Sequence, residues 1–227
     1  MYPQTKLWYL ENFSMLKALS KEEKGKLDRM AVMQHVAKKQ VLYFPPDSSN
    51  SIYMLKAGKV KISRTTPGGK EIILAILGAG EVFGELGIIG QQEREEIAEV
   101  TDNAIICKVD IEDLQVLMKD NPKFNTEVLK FIGFRLKRVQ GRLEALIFKN
   151  AEQRIRSLIK ELAVEHGRSI AGDENQREVK LGLTHEDIAK LTATSRQTVT
   201  TQFNVLEKSG IIKYDRKRIY IRDLHRL

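Results

Sequence analysis

The chain has 227 residues, 42% hydrophobic and 30% charged, with 38 Lys and Arg against 30 Asp and Glu and a net charge of +8. That length accommodates one large domain or two small ones with real cores, and the basic balance favours a polyanionic partner, nucleic acid before membrane. A single cysteine, Cys107, excludes an intramolecular disulfide and a thiolate cluster for zinc or iron–sulfur within one chain.

The first segment, MYPQTKLWYLENFSML, has no long apolar core and does not read as a signal peptide. No run of about 18 apolar residues occurs, so a reduced, cytoplasmic compartment is expected. Leu10, Phe13, Leu16, Leu19 and Leu27 recur near helical spacing, and Ser20 with Glu23 forms a capping box.

From about Val36 to Val109 the pattern changes to short apolar runs cut by turns. VLYF precedes Pro45-Pro46-Asp47, SIYMLKAG ends at Gly58, and KVKISRTT ends at Pro67-Gly68-Gly69. EIILAIL ends at Gly78-Ala79-Gly80, and AIICKV closes the series. Short strands at regular spacing with Gly and Pro turns predict a β sandwich or barrel. Cys107, inside AIICKV, reads as a small core residue.

Helical period returns at Ile111, and Pro122 ends a short helix. A long helix is expected from about Asn125 to Phe148. Leu129, Ile132, Leu136, Val139, Leu143 and Leu146 are spaced 3, 4, 3, 4, 3 along it. That is the seam of a helix packed on a partner helix, here expected to be a second copy. Phe131, Phe134 and Phe148 are left to face the helix's own domain. Asn150 marks a hinge. Beyond it come a helix over 151–165, a polar stretch GRSIAGDENQRE, further helices and a terminal hairpin. Residues 195–227 hold 8 Lys and Arg against 3 Asp and Glu, so positive charge gathers at this end.

Residues 183–222 carry the strongest constellation. Thr184 opens a helix with Asp187 three residues on, and Ile188 and Leu191 face inward. Thr192-Ala193 makes a turn. Thr194 is expected to cap a second helix, with Gln197 at the reciprocal position. Val199, Phe203 and Leu206 form its buried stripe, and Ser209-Gly210 ends it. The opposite face holds Ser195, Arg196, Gln197, Thr200, Thr201 and Asn204. Arg bonds a guanine edge and Gln an adenine edge in a major groove, while Ser195 and Thr198 stand where a helix N-terminus positions phosphates. Asp215-Arg216-Lys217-Arg218 is the turn of a basic hairpin wing. This order points to a DNA-binding helix–turn–helix.

Two other classes stand beside a DNA-binding regulator. One is a ligand-binding regulatory subunit acting through protein–protein contacts. The other is an enzyme, for which the sequence offers no paired carboxylates at a suitable spacing, no Cys–His or Ser–His arrangement and no Walker loop. No metal site and no catalytic residue is expected. His35, His166, His185 and His225 are scattered and read as surface or locally bonded residues.

The whole chain resembles the CRP/FNR family, that of the cyclic-AMP receptor protein and the fumarate–nitrate-reduction regulator. Gly58, the FGELG turn at 83–87, Arg94 and TSRQTV at 194–199 carry the likeness. It implies an α+β fold: an N-terminal cyclic-nucleotide-binding-like β-roll (jelly roll) over 1–124, a dimerisation helix and hinge over 125–150, and a winged helix–turn–helix over 151–227. It further implies a homodimeric transcription factor on double-stranded DNA. The operator would be approximately palindromic, with recognition helices about 34 Å apart, and RNA polymerase would be a partner. The family's base-reading pair falls on Arg196 and Gln197. A further base-reading Arg falls on Thr201, a turn glycine on Ala193 and a phosphate-contacting Arg on His185.

The resemblance also implies an effector site. Gly84, Glu85, Leu86, Arg94 and Glu95 would form the phosphate cassette, with Glu85 on the ribose and Arg94 on the cyclic phosphate. Glu95 stands where a hydroxyl donor is usual, and an ionised carboxylate repels phosphate; it is expected to pair with Arg94 instead. Val139 and Gln140 fall where adenine would be met. Three readings stay open: cyclic AMP, another small effector, or no ligand.

Overall fold

A computed structural model of the chain describes residues 13–227, so the helical expectation at Leu10 lies outside the described residues. The chain divides into two compact units. One runs up to Thr65 and includes Ala75–Arg138; the other holds Thr66–Leu74 and Val139–Leu227.

In the first unit a 3₁₀ turn at Ser14–Ala18 leads into α1 (Lys21–Met30). Ser20 caps it as the sequence predicts, with Glu23 accepting from the Ser20 N–H at 2.7 Å. Six strands follow: β1 (Val32–Val36), β2 (Val41–Tyr43), β3 (Ser51–Thr65), β4 (Glu71–Leu77), β5 (Val82–Phe83) and β6 (Ile97–Asp110). They form one sheet in the order β1-β6-β3-β4, with β2 added on β6 and β5 on β3. Alternate residues turn inward from the paired strands and build two apolar clusters. One gathers Tyr43, Tyr53, Leu55, Val60, Phe83, Val100 and Ile106. The other gathers Phe13, Leu16, Leu27, Ile52, Cys107, Leu114 and Phe124. Cys107 is a buried free thiol in that core.

The sequence divides β3 in two at Gly58, but the strand continues through it. Gly58 has φ +86°, and a Cβ there would lie 2.2 Å from the Asn103 carbonyl oxygen. The glycine therefore makes a bulge, and the register between β3 and β6 shifts on either side of it. AIICKV is likewise only the second half of β6, and the first strand begins at Val32 rather than near Val36.

Helix α2 (Ile111–Asp120) is followed at once by α3 (Pro122–Phe148). Asn121 accepts from the Phe124 N–H at 2.9 Å, and Pro122 takes a position where no N–H is needed. The long helix thus starts three residues earlier than expected. Phe124 and Val128 are buried, and Phe131 and Ile132 pack partly against the core. Phe134 and Phe148 do not face their own domain as anticipated; they are 71% and 78% exposed.

The second unit contains α4 (Ala151–His166), β7 (Gly167–Ile170), β8 (Asp173–Val179), α5 (His185–Thr192), α6 (Arg196–Lys208), β9 (Ile212–Asp215) and β10 (Arg218–Ile221). Asn150 is the N-cap of α4 and exchanges hydrogen bonds with Gln153. GRSIAGDENQRE is not a polar connector but the β7–β8 hairpin, and the sheet order is β7-β8-β10-β9. Ile155, Ile159, Val179, Ile188, Val199, Phe203, Leu206, Ile219 and Ile221 form the core beneath it. Among the described residues no helix is long and apolar enough to cross a membrane.

Candidate nucleic-acid interface and effector pocket

The helix–turn–helix is built from two caps and one strained turn. The Thr184 hydroxyl accepts from the Asp187 N–H at 3.1 Å, and Asp187 accepts from the Thr184 N–H at 2.8 Å. Helix α5 ends at Ala193, whose φ of +49° is left-handed. An L-residue there costs about 1–2 kcal/mol, which glycine avoids. Arg154 braces this turn, donating from Nε to the Thr192 carbonyl at 2.8 Å and from Nη2 to the Ala193 carbonyl at 3.2 Å.

The cap of α6 is Ser195, not Thr194. Its hydroxyl accepts from the Thr198 N–H at 3.0 Å and bonds the Thr198 hydroxyl at 2.8 Å. Thr194 is drawn back to α5, its N–H donating to the Ala189 carbonyl. Gln197 therefore has no reciprocal capping role. Val199, Phe203 and Leu206 are buried as expected, and so is Gln202. Leu191 is only half-buried; Ala189 and Thr192 share the inward face with Ile188. Arg196, Gln197, Thr201 and Asn204 are exposed on the far side of α6.

His185 departs from a phosphate-contacting role. Its ring lies against Phe203 and Tyr214, with centroids 4.9 and 4.8 Å away. Nδ1 is 2.9 Å from the Thr200 hydroxyl, which donates to the Arg196 carbonyl at 3.0 Å. That hydroxyl has one proton, so His185 Nδ1 is the donor. Nε2 is buried without a partner. Burial holds the imidazole below its usual range, and the nearby Arg196 charge adds to this. Thr200 is likewise spent inside the unit, whereas Arg196 and Gln197 present free side chains.

The wing is the β9–β10 hairpin. Arg216 and Lys217 have φ +46° and +64°, the pair of left-handed residues that a two-residue hairpin loop requires. Both are exposed. Arg218 is also exposed and lies 3.5 Å from Glu178.

In the first unit the FGELG turn brings Gly84, Glu85 and Arg94 together. Arg94 is 2% exposed. Its Nη1 donates to the Gly84 carbonyl at 3.1 Å and its Nη2 to the Ser51 carbonyl. The guanidinium stacks 4.3 Å from the Tyr43 ring centroid. Burial, with Glu96 next in effect, pushes the Tyr43 hydroxyl well above its usual pKa. A Cβ at Gly84 would lie 2.9 Å from Arg94 Nη1, so this glycine makes room for the arginine and supplies its acceptor.

Glu95 does not pair with Arg94. It is exposed and bonds Arg64 on β3. Glu85, 8% exposed, pairs with Arg135 of α3 at 2.7 Å, and Glu81 lies 3.7 Å from Arg138. Leu86 is partly exposed on the turn, and Val139 and Gln140 are exposed on α3. Arg135 and Arg138 were not anticipated from sequence. Their i, i+3 spacing places them on one face of α3, but nothing local names their carboxylate partners.

A cyclic phosphate does not fit these residues as they stand. The one guanidinium of the cassette is turned inward onto two carbonyls, and the neighbouring side chain is an anion committed to Arg64.

The comparisons agree with this architecture. A family model described as a cyclic nucleotide-binding domain matches residues 33–121, and one described as a Crp-like helix-turn-helix domain matches residues 153–227. The chain is 30% identical over 181 residues to the CRP-like cAMP-activated global transcriptional regulator of Mycobacterium tuberculosis, covering 80% of each chain. It is 27% identical over 210 residues to the anaerobic regulatory protein of Haemophilus influenzae, covering 92% of this chain and 80% of that one. The solved structure of a CooA mutant from Carboxydothermus hydrogenoformans superposes with TM-score 0.74 at 27% identity, covering 93% and 91% of the two chains.

Proposed function

The chain belongs to the CRP/FNR family of DNA-binding transcriptional regulators, and from that premise we propose a homodimer that reads an approximately two-fold-symmetric operator without needing cyclic AMP. The observation that carries the DNA reading is α6, with Val199, Phe203 and Leu206 buried and Arg196 and Gln197 exposed on the opposite face. Arg196 reads guanine, and Gln197 reads adenine where a Glu would read cytosine. Thr201 is too short to replace an arginine at a guanine edge. Lys217 and Arg216 contact the phosphate backbone from the wing.

Dimerisation is supported by α3. Leu129, Leu136, Val139, Leu143 and Leu146 are 48–63% exposed in the single chain, at coiled-coil spacing. Ile132 is partly turned to its own core and contributes less. The independence from cyclic AMP rests on Arg94 and Glu95, whose present partners oppose a cyclic phosphate. A different small effector remains compatible with the roll. RNA polymerase as a further partner, the cytoplasm as the compartment and the absence of catalysis complete the proposal, each supported by the relatives' role as regulators.

Fluorescence anisotropy on a duplex selected from a random library by the wild-type protein tests the reading. Arg196→Ala should cut the specific-to-nonspecific ratio by about 30- to 10,000-fold, because the homodimer loses two bidentate base contacts of about 1–3 kcal/mol each. Lys217→Ala should weaken all sequences alike and reduce the salt slope by about two, one phosphate contact from each protomer. Unchanged specificity in Arg196→Ala would show that α6 is not the reading helix.

A further inference from the structure

The last turns of α3, from Val139 on, share the second unit with the helix–turn–helix. Only Lys149 and Asn150 separate α3 from α4. Asn150 is extended, with φ −71° and ψ 172°, so the Lys149 carbonyl stands outside the ladder of α4. It accepts instead from Arg154 Nη1 at 2.8 Å. The same guanidinium donates from Nε to Thr192 and from Nη2 to Ala193 at the end of α5. A helix leaves its last carbonyls unpaired and carries partial negative charge at that end. One half-buried cation thus closes the ends of two helices, α3 and α5.

The two ends have different tasks. Leu143 and Leu146, in the exposed seam, lie just before the first end. Arg196 and α6 begin three residues beyond the second. Two further bonds hold α3 to α4 beside the joint: Lys149 Nζ to the Ser157 hydroxyl at 2.8 Å and Arg142 Nη2 to Glu161 at 3.0 Å. Neither of these reaches the α5–α6 turn. Arg154 alone among these three side chains bonds both the joint and the turn. The task suits arginine, whose rigid planar fork aims three donors in fixed directions, whereas a lysine ammonium is a point charge on a flexible stem.

We propose that Arg154 is a positioning residue that fixes the distance between the two reading helices of the dimer, and with it the spacing of the half-sites the protein accepts. This rests on the dimer and operator reading above. Moving a half-site by one base pair shifts it about 3.4 Å along the axis. A joint held by three hydrogen bonds resists that displacement, and a joint without them follows it.

Pulsed dipolar EPR of the full-length protein without DNA tests the distance. The label is placed at Lys208→Cys on the exposed end of α6, the native Cys107 being buried. The wild-type background should give one narrow distance, and Arg154→Lys and Arg154→Gln should each broaden it. Anisotropy on the selected duplex, and on duplexes with the half-sites moved by one base pair either way, tests the spacing. In both variants the preference for the selected spacing should fall about ten-fold, the worth of a charge-assisted hydrogen bond. A residue that only stabilised the fold would weaken all spacings alike and leave that ratio unchanged. Melting curves accompany each variant, and Arg154→Lys, which keeps the charge at both helix ends, should stay folded. A folded variant with the wild-type distance width or an unchanged spacing ratio overturns the proposal, and so does failure of both variants to fold. Absence of a dipolar signal in the wild type refutes the dimer itself. A dipolar signal without specific DNA binding refutes the operator reading, while the distance measurement still decides the role of Arg154.

Discussion

If Arg94 is a structural post rather than a waiting phosphate ligand, Arg94→Met should destabilise the protein with no nucleotide present. The guanidinium donates to the Gly84 and Ser51 carbonyls and stacks on Tyr43. Hydrogen bonds from a charged group are worth about 1.5–3 kcal/mol each, and a desolvated cation–π contact adds about 2 kcal/mol. The opposing cost of burying the ion is several kcal/mol, which methionine does not incur. The net loss should be about 2–3 kcal/mol. At roughly 4 °C per kcal/mol for a unit of this size, the melting temperature should fall by about 8–12 °C. Calorimetric melting of the nucleotide-free wild type, Arg94→Met and Arg94→Lys measures this. Lysine should recover little, because it cannot span both carbonyls and the ring. An Arg94→Met protein that melts with the wild type but loses a cyclic-AMP response would refute the reasoning, since Arg94 would then serve only the ligand.

Three further outcomes follow from other parts of the structure. Ala193→Gly should stabilise the helix–turn–helix by about 1 kcal/mol by relieving the left-handed alanine, read as a higher denaturation midpoint; an unchanged or lower midpoint contradicts that account. The folded-state pKa of His185 is lowered, chiefly by burial, so below about pH 6.5 the unfolded chain binds more protons than the folded one. Stability should therefore be unaffected by this group above that pH and fall as the pH drops through it. His185→Gln should flatten the decline, and an unaltered pH profile counts against a buried neutral imidazole. Leu136→Lys puts a charge in the exposed seam of α3 and should give monomers by sedimentation at concentrations where the wild type is dimeric; a wild-type dimer would place the interface elsewhere.

Much of the fold was legible because its signals are local. Ser20, Thr184 and the Gly and Pro turns each act within a few residues. The recognition helix could be read from the spacing of Val199, Phe203 and Leu206. Thr194 and Ser195 are both good caps, and only the path of the chain back to Ala189 decides between them. The β7–β8 hairpin was missed because its strands, GRSI and DENQREV, are polar and largely uncovered, so no apolar alternation exists to betray them. Gly58 read as a terminator because a glycine bulge and a turn share one sequence signal. The partners of Arg94 were not legible at all. They are backbone carbonyls from Ser51 and Gly84, and a carbonyl has no letter in the sequence. Adjacency in sequence pairs Glu95 with Arg94, but neighbouring residues on an extended chain point to opposite sides.

The central claim is operator reading that does not depend on cyclic AMP. The most direct measurement is an anisotropy titration of the wild-type protein on its selected duplex and on a scrambled one, with and without cyclic AMP. We expect tight binding to the selected duplex, weak binding to the scrambled one, and the same two curves when the nucleotide is present. Specific binding that appears only with cyclic AMP would contradict the account, because Arg94 would have to leave the Gly84 and Ser51 carbonyls for the phosphate.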